Sequence, residues 1–182
     1  MRERLRRYEF FFSLGLILFF IVFLLLAPLF HEAWHIMTIR SQNLKYRVKY
    51  IKLGVIEGTF GEIEYEASSS KLINFQIYVA GVFGNLMVGF LLLFLSFYTC
   101  SKHPCYSIVL GNVAIAFLAD SSLYFFFEMD GDLVNALKLF KFENEWFLPT
   151  IGFLLVSFCF YSWIKILEKT SENYLQKIYS NQ

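Results

Sequence analysis

Charge is scarce in this chain. Asp, Glu, Lys and Arg make up 17% of its 182 residues, against roughly 25% in soluble domains, and the shortfall argues against a soluble globular enzyme. Neither sign prevails: sixteen basic and fifteen acidic residues leave a net charge of +1, so no electrostatic footprint for nucleic acid is present. Three prolines are too few for a collagenous or Pro-rich extended chain. Cysteine is limited to Cys100, Cys105 and Cys159, without C-x-x-C spacing. That excludes a disulfide framework and predicts free thiols in an apolar setting. What fills the chain instead is apolar: 57% hydrophobic and 20% aromatic residues, 23 of them Phe, which excludes disorder. The length suits one unit, residues 1–182, without an accessory domain.

The apolar residues fall in runs. Residues 10–30 carry no charge over 21 positions, and about 20 such residues at 1.5 Å rise cross a bilayer core. Arg2, Arg4, Arg6 and Arg7 before the run resemble the start of a signal peptide. The run exceeds an ordinary h-region, however, and no A-x-A site follows, so a retained helix is expected. Further spans are predicted at about 72–99, 106–127 and 147–164, the last helix continuing to about 167. Trp34, Trp146 and Trp163 lie near these boundaries, as interfacial aromatics do. Between the first two spans the period changes to two. Leu44, Tyr46, Val48 and Tyr50 alternate with basic residues, and Ile63 and Tyr65 with acidic ones, which predicts two strands turning between Gly54 and Gly61. Unlike charges favour antiparallel pairing, but turns centred near Ile56 or at Glu57-Gly58 both bring them opposite. Ser68, Ser69 and Ser70 then cap the second membrane helix. The expected fold is an all-α polytopic membrane protein with about four transmembrane helices and a β-hairpin between the first and second. Gly81, Gly84 and Gly89 on the second span are candidate close-packing positions.

The chemistry is at the end of the first span, in His31-Glu32-Ala33-Trp34-His35. Residues four apart share a helix face, so His31 and His35 can present two imidazole nitrogens to one Zn²⁺, with Glu32 beside it as general base. The chain has three His, two of them in this motif, and ionisable groups at membrane depth are costly unless functional or paired. A hydrolytic zinc site needs a third ligand and an open position. Asp130 and Asp132, in Met129-Asp130-Gly131-Asp132, return to the motif's side of the bilayer after the third span. His103, between the second and third spans, is on the opposite side. Asp120, with Ser121 and Ser122, serves either a polar path or a helix contact.

Three stretches together resemble the site-2 protease family of intramembrane zinc metalloproteases: His31-Glu32-x-x-His35 on one membrane helix, Ala80-Gly81-Val82-Phe83-Gly84-Asn85 on the next, and Met129-Asp130-Gly131 after a third. The resemblance covers about residues 28–140, within a catalytic core of about 10–140 followed by the C-terminal helix. It implies that His31, His35 and Asp130 bind one zinc ion, with Asp132 the alternative third ligand. It also implies that Glu32 activates water and that Asn85 helps hold the substrate backbone. Val82 stands where the family usually has Pro, and Phe127-Glu128-Met129 replaces the usual residues before Asp-Gly. The implied partners are the lipid bilayer and a membrane protein substrate with a transmembrane helix, not nucleic acid. The implied location is multi-pass in a prokaryotic plasma membrane. No PDZ or CBS domain fits this length.

The expected reaction is hydrolysis of a peptide bond in an unwound helix. Zinc acidifies water and polarises the carbonyl, while Glu32 moves the proton. The exposed backbone then needs partners, which Asn85 and the edge of the hairpin can supply by strand addition. Two other classes compete with this: a catalytically silent relative that binds membrane helices, and a zinc-dependent carrier or hydrolase of a non-peptide substrate. Lys and Arg divide evenly between the two sides, so charge sets no orientation. The resemblance implies a zinc site near the cytoplasmic face.

Overall fold

Pro28 sits inside the first apolar run, where it has no N–H to offer the Leu24 carbonyl and its ring crowds that carbonyl. The chain responds by widening. The computed structural model describes residues 2–52, 60–126, 131–142, 144 and 146–179. In it, α1 (Arg2–Ile21) passes through a π-turn over Val22–Leu26 into α2 (Ala27–Ser41), with Pro28 in the first turn of α2. The Ala27 amide donates to the Val22 carbonyl, the i→i+5 bond of a π-turn. The expected span of residues 10–30 is therefore part of a longer rod, and the two histidines lie within it.

A left-handed Asn43 (φ 55°) turns the chain out of α2, a conformation Asn tolerates better than most residues. Strands β1 (Tyr46–Lys52) and β2 (Phe60–Tyr65) then pair antiparallel. Tyr46 faces Tyr65, a bulge intervenes between Val48 and Tyr50, and Ile51 faces Gly61. Beyond the bulge the register is centred on position 56, so the alternative centred on Glu57-Gly58 is not adopted. Residues 53–59, including the turn glycines at 54 and 58, lie outside the described residues. Lys49 and Glu64 form a cross-strand ion pair at 2.8 Å.

The rest of the chain is α3 (Lys71–Thr99), α4 (Pro104–Leu123), α5 (Asp132–Lys138) and α6 (Phe147–Tyr179). Among the described residues four helical stretches, Leu5–Ser41, α3, α4 and α6, are long and apolar enough to cross a membrane. Ser70 occupies the N-cap of α3, but its hydroxyl makes no capping bond. Asn74, inside the helix, fastens the segment that precedes it, accepting from the Ser68 amide at 2.9 Å and donating to the Ser68 carbonyl at 2.8 Å. Outward faces carry Ile17, Phe20, Met87, Phe94, Phe153 and Phe160, all exposed, more contiguous apolar surface than a soluble monomer shows. The last helix exceeds its expected end at about 167 because one face remains sticky. Ile166, Thr170 and Ile178 stay buried at four- and eight-residue spacing, and the Thr170 hydroxyl meets Tyr8 of α1 at 2.9 Å.

Helix α4 is central, packing on α1, α3 and α6. Its small residues, Gly111, Ala114 and Ala116, are buried and admit close neighbours. Its polar residues are satisfied internally. Ser121 and Ser122 donate to carbonyls one turn back, at 3.1 and 2.7 Å, and the Asn112 carbonyl accepts the Trp163 indole N–H at 3.2 Å. Of the three tryptophans Trp146 is 78% exposed, whereas Trp34 and Trp163 are half-buried. All three cysteines are free and buried, as composition predicts.

Asp120 proves to be a helix contact. Asn85 of α3, 0% exposed, donates through Nδ2 to Asp120 Oδ2 at 2.9 Å and to the Ala27 carbonyl at 2.7 Å. One side chain thus ties α3 to α4 and to the junction that follows the π-turn. Asn85→Ala leaves Asp120 without this donor and is expected to cost about 1–2 kcal/mol. A lowered unfolding midpoint in detergent checks this.

Candidate metal centre

Residues Ala27, His31, His35 and Ile39 recur every four positions on α2, and all are buried, because this face lies on α3. Bulky imidazoles fit there for lack of a side chain opposite. A Cβ built on Gly81 would fall 2.4 Å from His31 Nε2, and one on Gly84 would fall 2.2 Å from the Trp34 ring. Both rings lie against the backbone of α3. Trp34 therefore packs against the backbone of α3. Gly89 serves likewise for Leu118, where a Cβ would come within 2.7 Å. The close-packing expectation for all three glycines is met.

Each histidine is held differently. His35 Nδ1 lies 2.7 Å from the Ile77 carbonyl. A carbonyl can only accept, so Nδ1 carries a proton and Nε2 is the nitrogen turned to Asp132, where a proton donates to the carboxylate and its loss frees the lone pair for a metal. His31 Nδ1 is buried without a hydrogen-bond partner. Its ring is fixed by shape, stacked on Tyr124 at 4.2 Å and 9° and pressed toward Gly81.

The third donor comes from α5. Gly131 is its N-cap and Asp132 its first residue, which aims the carboxylate at the end of α2. Asp132 Oδ2 is 3.0 Å from His35 Nε2 and 3.3 Å from His31 Nε2, and the two Nε2 atoms are 3.0 Å apart. Zinc bonds of 2.0–2.2 Å at tetrahedral angles separate neighbouring ligand atoms by about 3.3 Å. The triangle therefore matches three corners of a tetrahedron, and His31, His35 and Asp132 form a group able to hold a metal ion. Burial pushes the Asp132 carboxyl up, but hydrogen bonds to His31 and His35 and the nearby imidazole charge outweigh it and hold it well below the usual carboxylate range. Asp130, the expected ligand, lies outside the described residues.

Glu32 is next to His31 but rotated about 100° around the helix, toward the hairpin. Its carboxylate accepts from the Gly61 amide, and a Cβ on Gly61 would come within 3.1 Å of Glu32 Cδ. Glu32, His35 and Asp132 line one cleft of about 180 Å³ together with Gly61, Ile63, Tyr65, Ile77 and Tyr78. Burial pushes the Tyr65 phenol above the usual tyrosine range, and the Tyr78 hydrogen bond and Asp132 charge add to it. Tyr65 therefore stays a neutral O–H at the cleft.

No protein-family model matches the chain, and no curated protein or solved structure is significantly similar to it.

The centre thus brings together His31, His35, Glu32 and one of the two candidate aspartates. Asn85 Nδ2 is engaged on Ala27 and Asp120, and its Oδ1 is buried with no hydrogen-bond partner among the described residues. His103 is at the N-cap of α4, beyond the far end of the 29-residue α3. Tyr124 and Gly61 carry no sequence signal of their own; only contact reveals them. Gly81 is the glycine pressed against a histidine of the centre, and Gly81→Ala is expected to displace the His31 ring. Zinc affinity should fall about 10–100-fold, as when a residue that orients a ligand is lost, with helix content unchanged. Isothermal titration beside circular dichroism measures both.

Proposed function

We propose that this chain is an intramembrane zinc metalloendopeptidase that hydrolyses peptide bonds within or next to transmembrane segments of membrane proteins. The observation that carries the reading is the His31–His35–Asp132 triangle with the Glu32 carboxylate in the same cleft. Two imidazole nitrogens and one carboxylate oxygen suit zinc, and three protein donors leave a fourth position open, as in hydrolytic sites. The motif resemblance to site-2 proteases supports the same conclusion from sequence.

His31, His35 and Asp132 hold the ion, with the Ile77 carbonyl orienting His35. Bound zinc supplies Lewis acidity, polarising a carbonyl and acidifying water at neutral pH. Glu32 takes the proton from the attacking water and returns it to the departing amine nitrogen as the C–N bond breaks. The substrate is presented in extended form. The Glu66 amide donates to the Lys45 carbonyl, so even-numbered residues of β2 turn their backbone groups toward β1. Gly61, Ile63 and Tyr65 turn theirs away, on the edge that borders the cleft. An unwound segment pairing with that edge gains main-chain hydrogen bonds that water does not provide at this depth. Asn85 Nδ2 is held by Ala27 and Asp120, which positions α2, while Oδ1, buried with no hydrogen-bond partner among the described residues, is the atom that can accept from a substrate amide.

The test uses the full chain purified in detergent and a reporter carrying one transmembrane helix. About one zinc per chain, cleavage stopped by a zinc chelator and cleavage restored by added zinc are expected. Zinc binding without cleavage of any helical reporter would overturn the peptidase reading and favour a non-peptide substrate.

A further inference from the structure

The cleft beside the metal centre has a wall that neither the ligands nor Glu32 supply. Alternate side chains of a strand share one face, and Gly61, Ile63 and Tyr65 of β2 all line the cleft. Tyr78 reaches it from α3, one position beyond the Ile77 carbonyl that holds His35. The two tyrosine rings meet edge-on at 6.3 Å and 71°. The Tyr65 phenol donates to the Tyr78 oxygen, a bond that favours the neutral form of Tyr65. Both residues are half-buried, so neither is sealed from a molecule that enters.

Two hydroxyls carry two protons, and their mutual hydrogen bond uses one. The Tyr78 proton is left for an acceptor, and accepting from Tyr65 strengthens it as a donor. The carboxylates of Glu32 and Asp132 can only accept, and the His35 Nδ1 proton is engaged on Ile77. At about 180 Å³ the cleft is smaller than the roughly 300–1,000 Å³ of ligand pockets. A peptide group inside it therefore meets the metal ligands and the phenols together.

We propose that Tyr78 is a second catalytic residue, whose O–H donates a hydrogen bond to the scissile carbonyl oxygen as negative charge develops there, and that Tyr65 positions it. This rests on the peptidase reading. As the water oxygen bonds to the carbonyl carbon, the π pair of C=O moves onto the carbonyl oxygen and one water proton goes to Glu32. The pair then returns, the C–N bond breaks, and the nitrogen takes the proton from Glu32, leaving a carboxyl and an amine. The Tyr78 proton stays on its own oxygen throughout. A bond that is strongest at the most charged stage raises kcat and leaves substrate binding unchanged.

The experiment compares the full zinc-loaded chain in detergent with Tyr65→Phe, Tyr78→Phe and the double variant, on the single-helix reporter. Removing an oxyanion donor lowers kcat about 10²–10³-fold. That fall is expected for the double variant with KM, zinc stoichiometry and helicity unchanged, and Tyr78→Phe should lose more than Tyr65→Phe. Isothermal titration gives a reading independent of turnover. A peptide with a phosphonamidate at the bond where the reporter is cut should bind the double variant more weakly by the same factor. The intact peptide, titrated in a Glu32→Gln background that does not cut it, should bind equally with and without the phenols. Unchanged kcat in the double variant, or equal weakening of both ligands, would overturn the assignment and leave the peptidase reading in place. A larger loss in Tyr65→Phe than in Tyr78→Phe would overturn the choice of Tyr78 as donor. A wild type that cleaves no reporter would overturn both readings.

Discussion

Asp132→Ala is expected to strip the metal, whereas Asp130→Ala keeps it. Asp132 Oδ2 stands 3.0 Å and 3.3 Å from the two imidazole nitrogens. Loss of a group that merely orients a ligand lowers affinity about 10–100-fold, so loss of the ligand itself should exceed the upper end of that range. Zinc stoichiometry by atomic emission would then fall from about one per chain to near zero after dialysis. The helix content should be unchanged, since Asp132 is at the first position of a seven-residue helix. The reverse pattern, zinc lost with Asp130→Ala and kept with Asp132→Ala, would return the ligand role to Asp130.

Glu32→Gln should leave zinc bound and remove hydrolysis. The substitution keeps length and an acceptor oxygen for the Gly61 amide but takes away the base, and general-base catalysis is worth about 10²–10⁴-fold. Reporter cleavage should drop by that factor with stoichiometry unchanged. Persistent cleavage would assign the proton transfer elsewhere, and joint loss of zinc would make Glu32 a structural neighbour of the centre.

Much of this was legible in the sequence because the strongest signals are periodic. Uncharged runs located the helices, alternation located the strands, and four-residue spacing put His31 and His35 on one face. Other features depend on what lies opposite, and a single chain read in order does not contain that. Asp130 and Asp132 differ in sequence only by their place around Gly131; that Asp132 faces α2 is decided by how α5 begins. Trp34 near a span end reads as an interfacial residue, yet the missing side chain at Gly84, fifty positions later, gives it a berth on α3. The length of α6 was underestimated because Thr170 looks polar to a hydropathy window, whereas its hydroxyl is satisfied by Tyr8 and its own helix. Register was the intermediate case. Charge allowed two hairpins, and the bulge between Val48 and Tyr50 accompanies the one adopted.

The π-turn at Val22–Leu26 also sets angular phase. Such a turn takes up about one residue more than an α-turn, so the residues after it are set back by about 100° from where an unbroken α-helix would place them. A single helical wheel drawn through Leu5–Ser41 therefore puts the histidines on the wrong side relative to the face α1 turns toward α4. With the turn in place, α1 addresses α4 and α2 addresses α3. A one-residue deletion between Val22 and Leu26 removes the extra residue and keeps the phase of His31 and His35 toward Gly81, but it sets the Pro28 ring against the carbonyl four residues back. A one-residue insertion has no such slack and rotates the pair away.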